Sequence, residues 1–430
     1  MTERSEGEQA EPSHTGLPPR ARYTLGLLTL IYVVNHIDRQ LMYILVEPVR
    51  MDLGLDDAQM GWIVGGGFAL FYASMGIPIG RVADSTNRRN LIAFALGIWS
   101  FFTAVSGLAR GFFTLFAARV GVGVGEAGCT PPAHSMISDL FPPERRGAAL
   151  STYSLGIPIG TLFGLAFGGY LADEVGWRNA FLLMGIPGIA LALIVRFTLS
   201  EPTRGGQESG VDTTPQPLRE VLHFMWGLKS LRHSLIGNSL QTLPLAAFGS
   251  FNAAYLQRVH GLSLTEIGLS LGLIAGCVGG VAVLSSGLLT DVLGRRDERW
   301  VFWLPMAGAL ISIPFSLFSY WTPVASLALG GIAVATLFNH LYSALGHVQL
   351  QSLVKPRMRS VMSAVALFAM NIVGFGLGPL VVGYLSNFYG GNDSLPLALM
   401  SCVIFMPWAC VHYALAARTY REDLGAKNLE

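Results

Sequence analysis

Apolar positions along the chain gather into long unbroken stretches, each closed by a short polar cluster rich in Arg, Asp or Gly. About 20 apolar residues are what a helix needs to cross about 30 Å of hydrocarbon. The pattern predicts twelve such helices, at 22–46, 58–80, 90–109, 112–140, 147–171, 178–198, 231–257, 263–289, 299–319, 322–349, 357–387 and 395–418. Only helices or closed barrels satisfy their backbone in lipid, and these runs are too long and continuous for barrel strands. The long polar break at 199–230, with Pro202, Gly205, Gly206, Pro215 and Pro217, parts the helices six and six. The expected chain is an all-α membrane protein. It has a polar tail at 1–21, a six-helix bundle at 22–198, a linker at 199–230, a second bundle at 231–418 and a tail at 419–430.

Charge sets the orientation. Twenty-two Lys and Arg fall on the side of the termini and linker, against Arg50, Arg110, Arg178 and Arg258 on the other. The positive-inside rule places the first side in the cytoplasm, in a cell (inner) membrane. Composition agrees: 52% of residues are hydrophobic and 13% charged, where soluble domains carry about 25% charged. A net charge of +1 offers no basic stripe for nucleic acid. Cys129, Cys277, Cys402 and Cys410 lie in apolar stretches, with neither a disulfide framework nor a metal spacing. Residues 1–21, with Glu3, Glu6, Glu8 and Glu11 among prolines, read as a disordered tail rather than a cleaved signal.

A repeat defines the architecture. Gly80-x3-Asp84-x3-Arg88-Arg89 follows the second helix, and Gly287-x3-Asp291-x3-Arg295-Arg296, including Gly294, follows the eighth. Two copies six helices apart imply duplicated, pseudo-symmetric six-helix bundles. Glycine permits close helix approach, and the charges can latch one face shut. The loops resemble the Gly-x3-Asp-Arg/Lys-x-Gly-Arg-Arg/Lys motif of the major facilitator superfamily, and the resemblance covers essentially the whole chain. The first copy departs from it at Ser85 and Asn87, the second at Val292. Gly156-x-Pro158-x-Gly160-x3-Gly164 is similar to that family's antiporter motif.

Four charges lie within helices: Asp38 and Arg39 in the first, Arg119 and Glu126 in the fourth. Each costs about 2.5–3.5 kcal/mol at mid-bilayer on insertion scales, so each should face the interior with a partner. Arg119 and Glu126, two turns apart, share a helix face. The expected network pairs Asp38 with Arg119 or a nearby donor, and leaves Arg39 to meet Glu126 or a substrate anion. A carboxylate whose arginine can be withdrawn is a proton switch. Asn35-His36-Ile-Asp38-Arg39 and Arg119-x-Gly-x-Gly-x-Gly125-Glu126-Ala127 resemble the Spinster branch, whose animal members are associated with lysolipids and phosphorylated sphingoid bases. The resemblance implies that Asp38, Arg39, Arg119 and Glu126 belong to a coupling and substrate site.

The second half is sparse in polar residues: Asn238 and Gln241 in the seventh helix, Asn339, His340, Tyr342 and His347 in the tenth, and Asn371 in the eleventh. One charged wall and one apolar wall suit an amphipathic substrate. No phosphate loop, His-Glu-x-x-His or Gly-x-Ser-x-Gly is present, so neither ATP drive nor an enzyme is expected. The expectation is a monomeric, proton-coupled secondary transporter without cofactor. Asp38 and Glu126 would be its proton carriers. Arg39, Arg119, Asn35, His36, Asn238, Gln241, Asn339, His340 and Tyr342 would be its substrate contacts, and the two loops its gates. Uptake of small organic anions and lipid sensing are the alternatives.

Overall fold

The computed structural model describes residues 19–204 and 217–429, and no strand occurs among them. Eight helical segments are long and apolar enough to cross a bilayer. One of them, Pro143–Thr198, is two helices joined at Gly176, whose φ of 80° and ψ of 159° suit glycine alone. We label α1 (Pro19–Ile44), α2 (Asp57–Ala83), α3 (Arg88–Ser106) and α4 (Phe112–Leu140). Next come α5 (143–175), α6 (177–198) and α7 (Lys229–His260). The chain continues through α8 (Leu264–Gly294), α9 (Trp300–Trp321) and α10 (Ala325–Asn339 with Tyr342–Leu353). It ends with α11 (Val361–Tyr389) and α12 (Ser394–Gly425). These fall on the stretches expected from the sequence.

Two boundaries differ from expectation. The stretch expected as linker carries a helix, Leu218–Gly227, because Val221 and Met225, one turn apart, are buried on the second half's core. The last helix runs on to Leu429, through the expected tail. Residues 1–18 and the linker's 205–216 lie outside the described residues.

The duplication shows in the irregularities. α4 breaks at Gly128 (φ −82°, ψ 0°) and α10 at His340 (φ −78°, ψ −6°), the fourth helix of each half. α2 carries a π-turn at Trp62–Gly66 and α8 one at Ile274–Val278, the second helix of each half. Such turns insert a residue into the ladder and are frequent at functional positions.

The halves meet through α2 against α11 and α5 against α8, on the face away from the termini. There Gly61 lies so close to α11 that an added Cβ would sit 2.6 Å from the Pro379 carbonyl oxygen, and Gly169 and Gly268 face one another. Toward the termini the same helices separate: Gly76 and Gly80 of α2, and Gly280 and Gly287 of α8, meet nothing within 4 Å. The bundle is therefore closed on the far face and open on the face carrying the termini.

Candidate functional site

α1 and α4 bring the four intramembrane charges together. Arg39 Nε donates to Glu126 Oε2 at 2.6 Å, and the Arg39 side chain keeps 21% of its surface exposed while that of Glu126 is enclosed. The Arg39 guanidinium lies 4.7 Å from the Tyr72 ring centroid and 5.0 Å from that of Phe68, and Arg119 lies 5.7 Å from the same Phe68 ring. These aromatic faces from α2 attract both cations. Asp38, Arg119 and Asn35 are buried too. His36 contacts the Tyr32 carbonyl oxygen through Nδ1 at 3.1 Å.

The expected Arg39–Glu126 contact is made, whereas Asp38 and Arg119 form no hydrogen bond with each other among the described residues. Both Asp38 oxygens, Arg119 Nε and Nη1, and Glu126 Oε1 are buried without a bonded partner. Trp99 and Thr103 of α3 are the polar groups that interact with Asp38, through contacts short of good hydrogen-bond geometry. Unmet buried polar groups are costly. Their concentration here marks a cluster able to exchange partners as the helices move. Neither Phe68 nor Tyr72, Trp99 nor Thr103 was legible from the sequence, since aromatic and hydroxyl residues in an apolar helix look like packing.

The alternating glycines of α4 explain this proximity. An added Cβ on Gly125 would lie 2.8 Å from the Trp99 backbone nitrogen of α3, and one on Gly123 would lie 3.0 Å from the Phe68 carbonyl oxygen of α2. The helix bearing Arg119 and Glu126 is thus wedged backbone-close between its neighbours. The antiporter-like glycines pack likewise: Gly160 and Gly164 press on α1 at His36, Ile37 and Gln40, one turn around Asp38.

In the second half, the expected contacts are hydrogen-bonded within the bundle. Asn238 Nδ2 donates to Gln349 Oε1 (3.0 Å), Ser234 Oγ donates to the same oxygen (2.7 Å), and Tyr413 donates to Asn238 Oδ1 (3.0 Å). Gln241 donates to Asn339, and the Tyr342 hydroxyl lies 3.1 Å from that of Thr242. His340 is half-buried, with Nδ1 3.0 Å from the Thr336 carbonyl oxygen. Asn371 donates to its own helix, at the Leu367 carbonyl (2.8 Å). The His347 side chain lies outside the described residues. Gln349, the hub of this network, gave no signal in the sequence.

Among the described residues, the repeated loops make no hydrogen bond or ion pair across the halves in this state. Arg88, almost wholly buried, binds Asp139, Ser135 (2.8 Å), Glu201 (2.7 Å) and the Pro202 carbonyl (2.9 Å), all in its own half. The Asp84 side chain lies outside the described residues. Asp291, Arg295 and Arg296 are exposed on the open face. Beside them Asp297 accepts from Arg299 (2.7 Å) and lies 3.2 Å from Arg421, which ties the α8–α9 turn to α12.

The clasp between halves is on the far face. Arg258 at the end of α7 donates to both Asp57 oxygens (2.9 Å each) and to Glu47 Oε2 (2.6 Å). Arg50 binds Glu47 through two nitrogens (3.0 and 2.7 Å), and Ser386 of α11 donates to Asp57 (2.6 Å). Burial pushes the Glu47 carboxyl up, but the bonds from Arg50 and Arg258 outweigh it and hold the group below the usual carboxylate range. Asp173 adds a second tie, accepting from the Thr265 backbone N–H and hydroxyl (2.7 Å each) at the start of α8. The cluster lines a cavity of about 750 Å³ open to that face. Arg50 and Arg258 served the sequence reading only as markers of orientation, although a face with four cations made each of them conspicuous.

The all-helical fold of the described residues, the matching irregularities in the second and fourth helix of each half, and the clustered charges define the architecture. A sequence model of the Major Facilitator Superfamily matches residues 28–379. The chain belongs to that superfamily. It is accordingly a membrane transporter and not an enzyme. Like other superfamily chains, it is similar to an MFS-type efflux pump of Mycolicibacterium smegmatis, 34% identical over 95% of each chain. A probable galactarate/D-glucarate transporter of Bacillus subtilis is 27% identical over 86% of each chain. Human protein spinster homolog 1 is 29% identical over 47% of this chain and 39% of its own. Among solved structures, a bacterial homologue of the human lysosomal transporter Spinster, inward-facing and unoccupied, superposes with a TM-score of 0.86. It is 31% identical, over 95% of this chain and 99% of that one. The Spinster-like motifs in α1 and α4 thus coincide with a Spinster-like fold.

Proposed function

We propose that this chain is a proton-coupled secondary transporter of amphipathic anionic lipids, such as lysophospholipids or sphingoid phosphates. The observation that carries the reading is the partly exposed ion pair of Arg39 with Glu126 beside a buried Asp38 to which no arginine is bonded. A substrate anion that takes Arg39 releases Glu126 to accept a proton. Protonation of Asp38 removes an unpaired charge, which eases the passage of α1 through the occluded state. Alternating access then rocks the two halves around this site, exchanging the far-face clasp for the terminal-side loops. The weakly charged second half gives a lipid tail an apolar wall. The 22-to-4 distribution of Lys and Arg supports cytoplasmic termini in a cell membrane, and the proposed transporter works as a monomer.

A second reading, uptake of small organic anions, is favoured by the similarity to the acid-sugar transporter of Bacillus subtilis. Proteoliposomes with a trapped pH dye separate the two. Lysophospholipid, sphingoid phosphate and a carboxylate panel are added in turn, with Glu126→Gln vesicles as the control for detergent-like leakage. Lipid-driven proton flux in the wild type alone supports the first reading. Flux with carboxylates alone replaces it by the second, and no flux with any ligand points to uncoupled transport or sensing.

A further inference from the structure

Beyond Thr198 the chain crosses the terminal-side ends of α2 and α3. Glu201 accepts from the Arg89 backbone N–H (2.9 Å), in the first turn of α3, and from Arg88 Nε (2.7 Å). Arg204 Nη2 donates to the carbonyls of Ala83 (2.7 Å) and Thr86 (2.6 Å), where α2 ends. A carboxylate at a helix N-terminus and a guanidinium at a C-terminus each oppose the end charge of the macrodipole. Four residues of strap therefore meet both ends with the matching sign. The loop they meet is the one with Ser85 at the position that related loops fill with a base, one residue from Thr86.

We propose that Glu201 and Arg204 are positioning residues of the terminal-side gate. Arg204 stands in for the base missing at position 85, and Glu201 aims Arg88 at Asp139. The ends of α2, α3, α4 and α6 are thereby joined, and the first half rocks as one body. The second half is built differently: its last helix continues to Leu429 instead of folding back as a strap. The inference does not depend on which substrate is carried.

The full chain in nanodiscs tests it by two readouts. Hydrogen exchange is followed across 80–92. Distances across the open face are measured between spin labels at Glu144→Cys and Val292→Cys, with the four native cysteines replaced by alanine. Arg204→Ala should raise exchange in the last turn of α2 roughly tenfold, the scale of losing charge-assisted hydrogen bonds, and should broaden the distance distribution. Ser85→Arg in the same chain should restore both. Arg204→Lys, which keeps the charge but not the planar fork, should fall between. Unchanged exchange in Arg204→Ala, or no recovery with Ser85→Arg, overturns the proposal. So does a rise in exchange with an unaltered distance distribution, since the strap would then hold a loop and not a gate. If Arg204→Ala does not fold, Arg204→Lys with and without Ser85→Arg decides: lower exchange in the double variant supports the assignment and equal exchange removes it.

Discussion

Arg39 and Glu126 lie on different helices, 87 positions apart in the chain, and meet at 2.6 Å with the arginine partly open and the glutamate enclosed. The pair can thus be entered from one side only. An anion reaching Arg39 competes directly with Glu126 for the guanidinium. Glu126→Gln and Asp38→Asn should each leave the helical content and monodispersity of the purified protein unaltered. Each should lower pH-driven transport by about tenfold or more, the effect of removing a required proton acceptor. Wild-type pH dependence in both variants would remove these residues from the coupling role.

The far-face clasp sets which side is open. Arg258 holds Glu47 and Asp57, both nearly inaccessible, so its removal takes the two-nitrogen partner from Asp57 and leaves Glu47 to Arg50 alone. Truncating one member of such a group costs about 2–5 kcal/mol, enough to shift a two-state balance by one to several orders of magnitude. In Arg258→Ala, spin labels at Asp56→Cys and Asn387→Cys should move apart as the far face opens. A distance distribution identical to wild type would show that the glycine contacts alone keep the face closed.

The clasp should be insensitive to pH over the range in which proton coupling operates. Glu47 is held below its usual value by Arg50 and Arg258, so its contribution is fully present above the value of the unpaired group, about 4.3. It is lost only as pH falls through the lower, clasped value. The label distance at Asp56 and Asn387 should stay constant from pH 8 to about 5 and lengthen only below about 4. Opening between pH 7 and 5 would show that another group titrates in the clasp, and would take the pH dependence of transport away from Asp38 and Glu126.

Most of the architecture was readable because hydrocarbon imposes one solution: long apolar runs and a repeated loop pointed to an all-helical membrane fold, and the helices among the described residues fall on those runs. The charge cluster was readable for the same reason, since Asp38, Arg39, Arg119 and Glu126 stand alone in apolar surroundings. What escaped was contact made across the halves. Glu47 and Asp57 look like ordinary charges near helix ends until folding sets them beside Arg258. Arg88 reads as half of a gate, yet Asp139 and Glu201 hold it within its own half. Asn238 and Gln241 read as cavity polar groups, while Gln349 and Asn339 bond them inside the bundle in this state. Polarity in a membrane helix signals a partner but not which one.

The glycines of α4 are a requirement of packing that activity alone would misassign. A Cβ at Gly125 would enter α3 at the backbone, 2.8 Å from the Trp99 nitrogen, where no side chain can swing aside. At Gly97 the same atom would meet only the Ala192 Cβ at 3.8 Å, an ordinary contact. Gly125→Ala should therefore destabilise the protein by about 1–3 kcal/mol, the cost of overpacking, and lower its midpoint of thermal unfolding in detergent. Gly97→Ala, also mid-helix, should be neutral or slightly stabilising, because alanine is the better helix former. If both variants lose transport but only Gly125→Ala melts early, the α3–α4 wedge is a stability element and the Gly97 loss is a separate effect. If Gly125→Ala keeps the wild-type melting point, α4 has room to shift, and the wedge does not hold Glu126 at the level of Arg39.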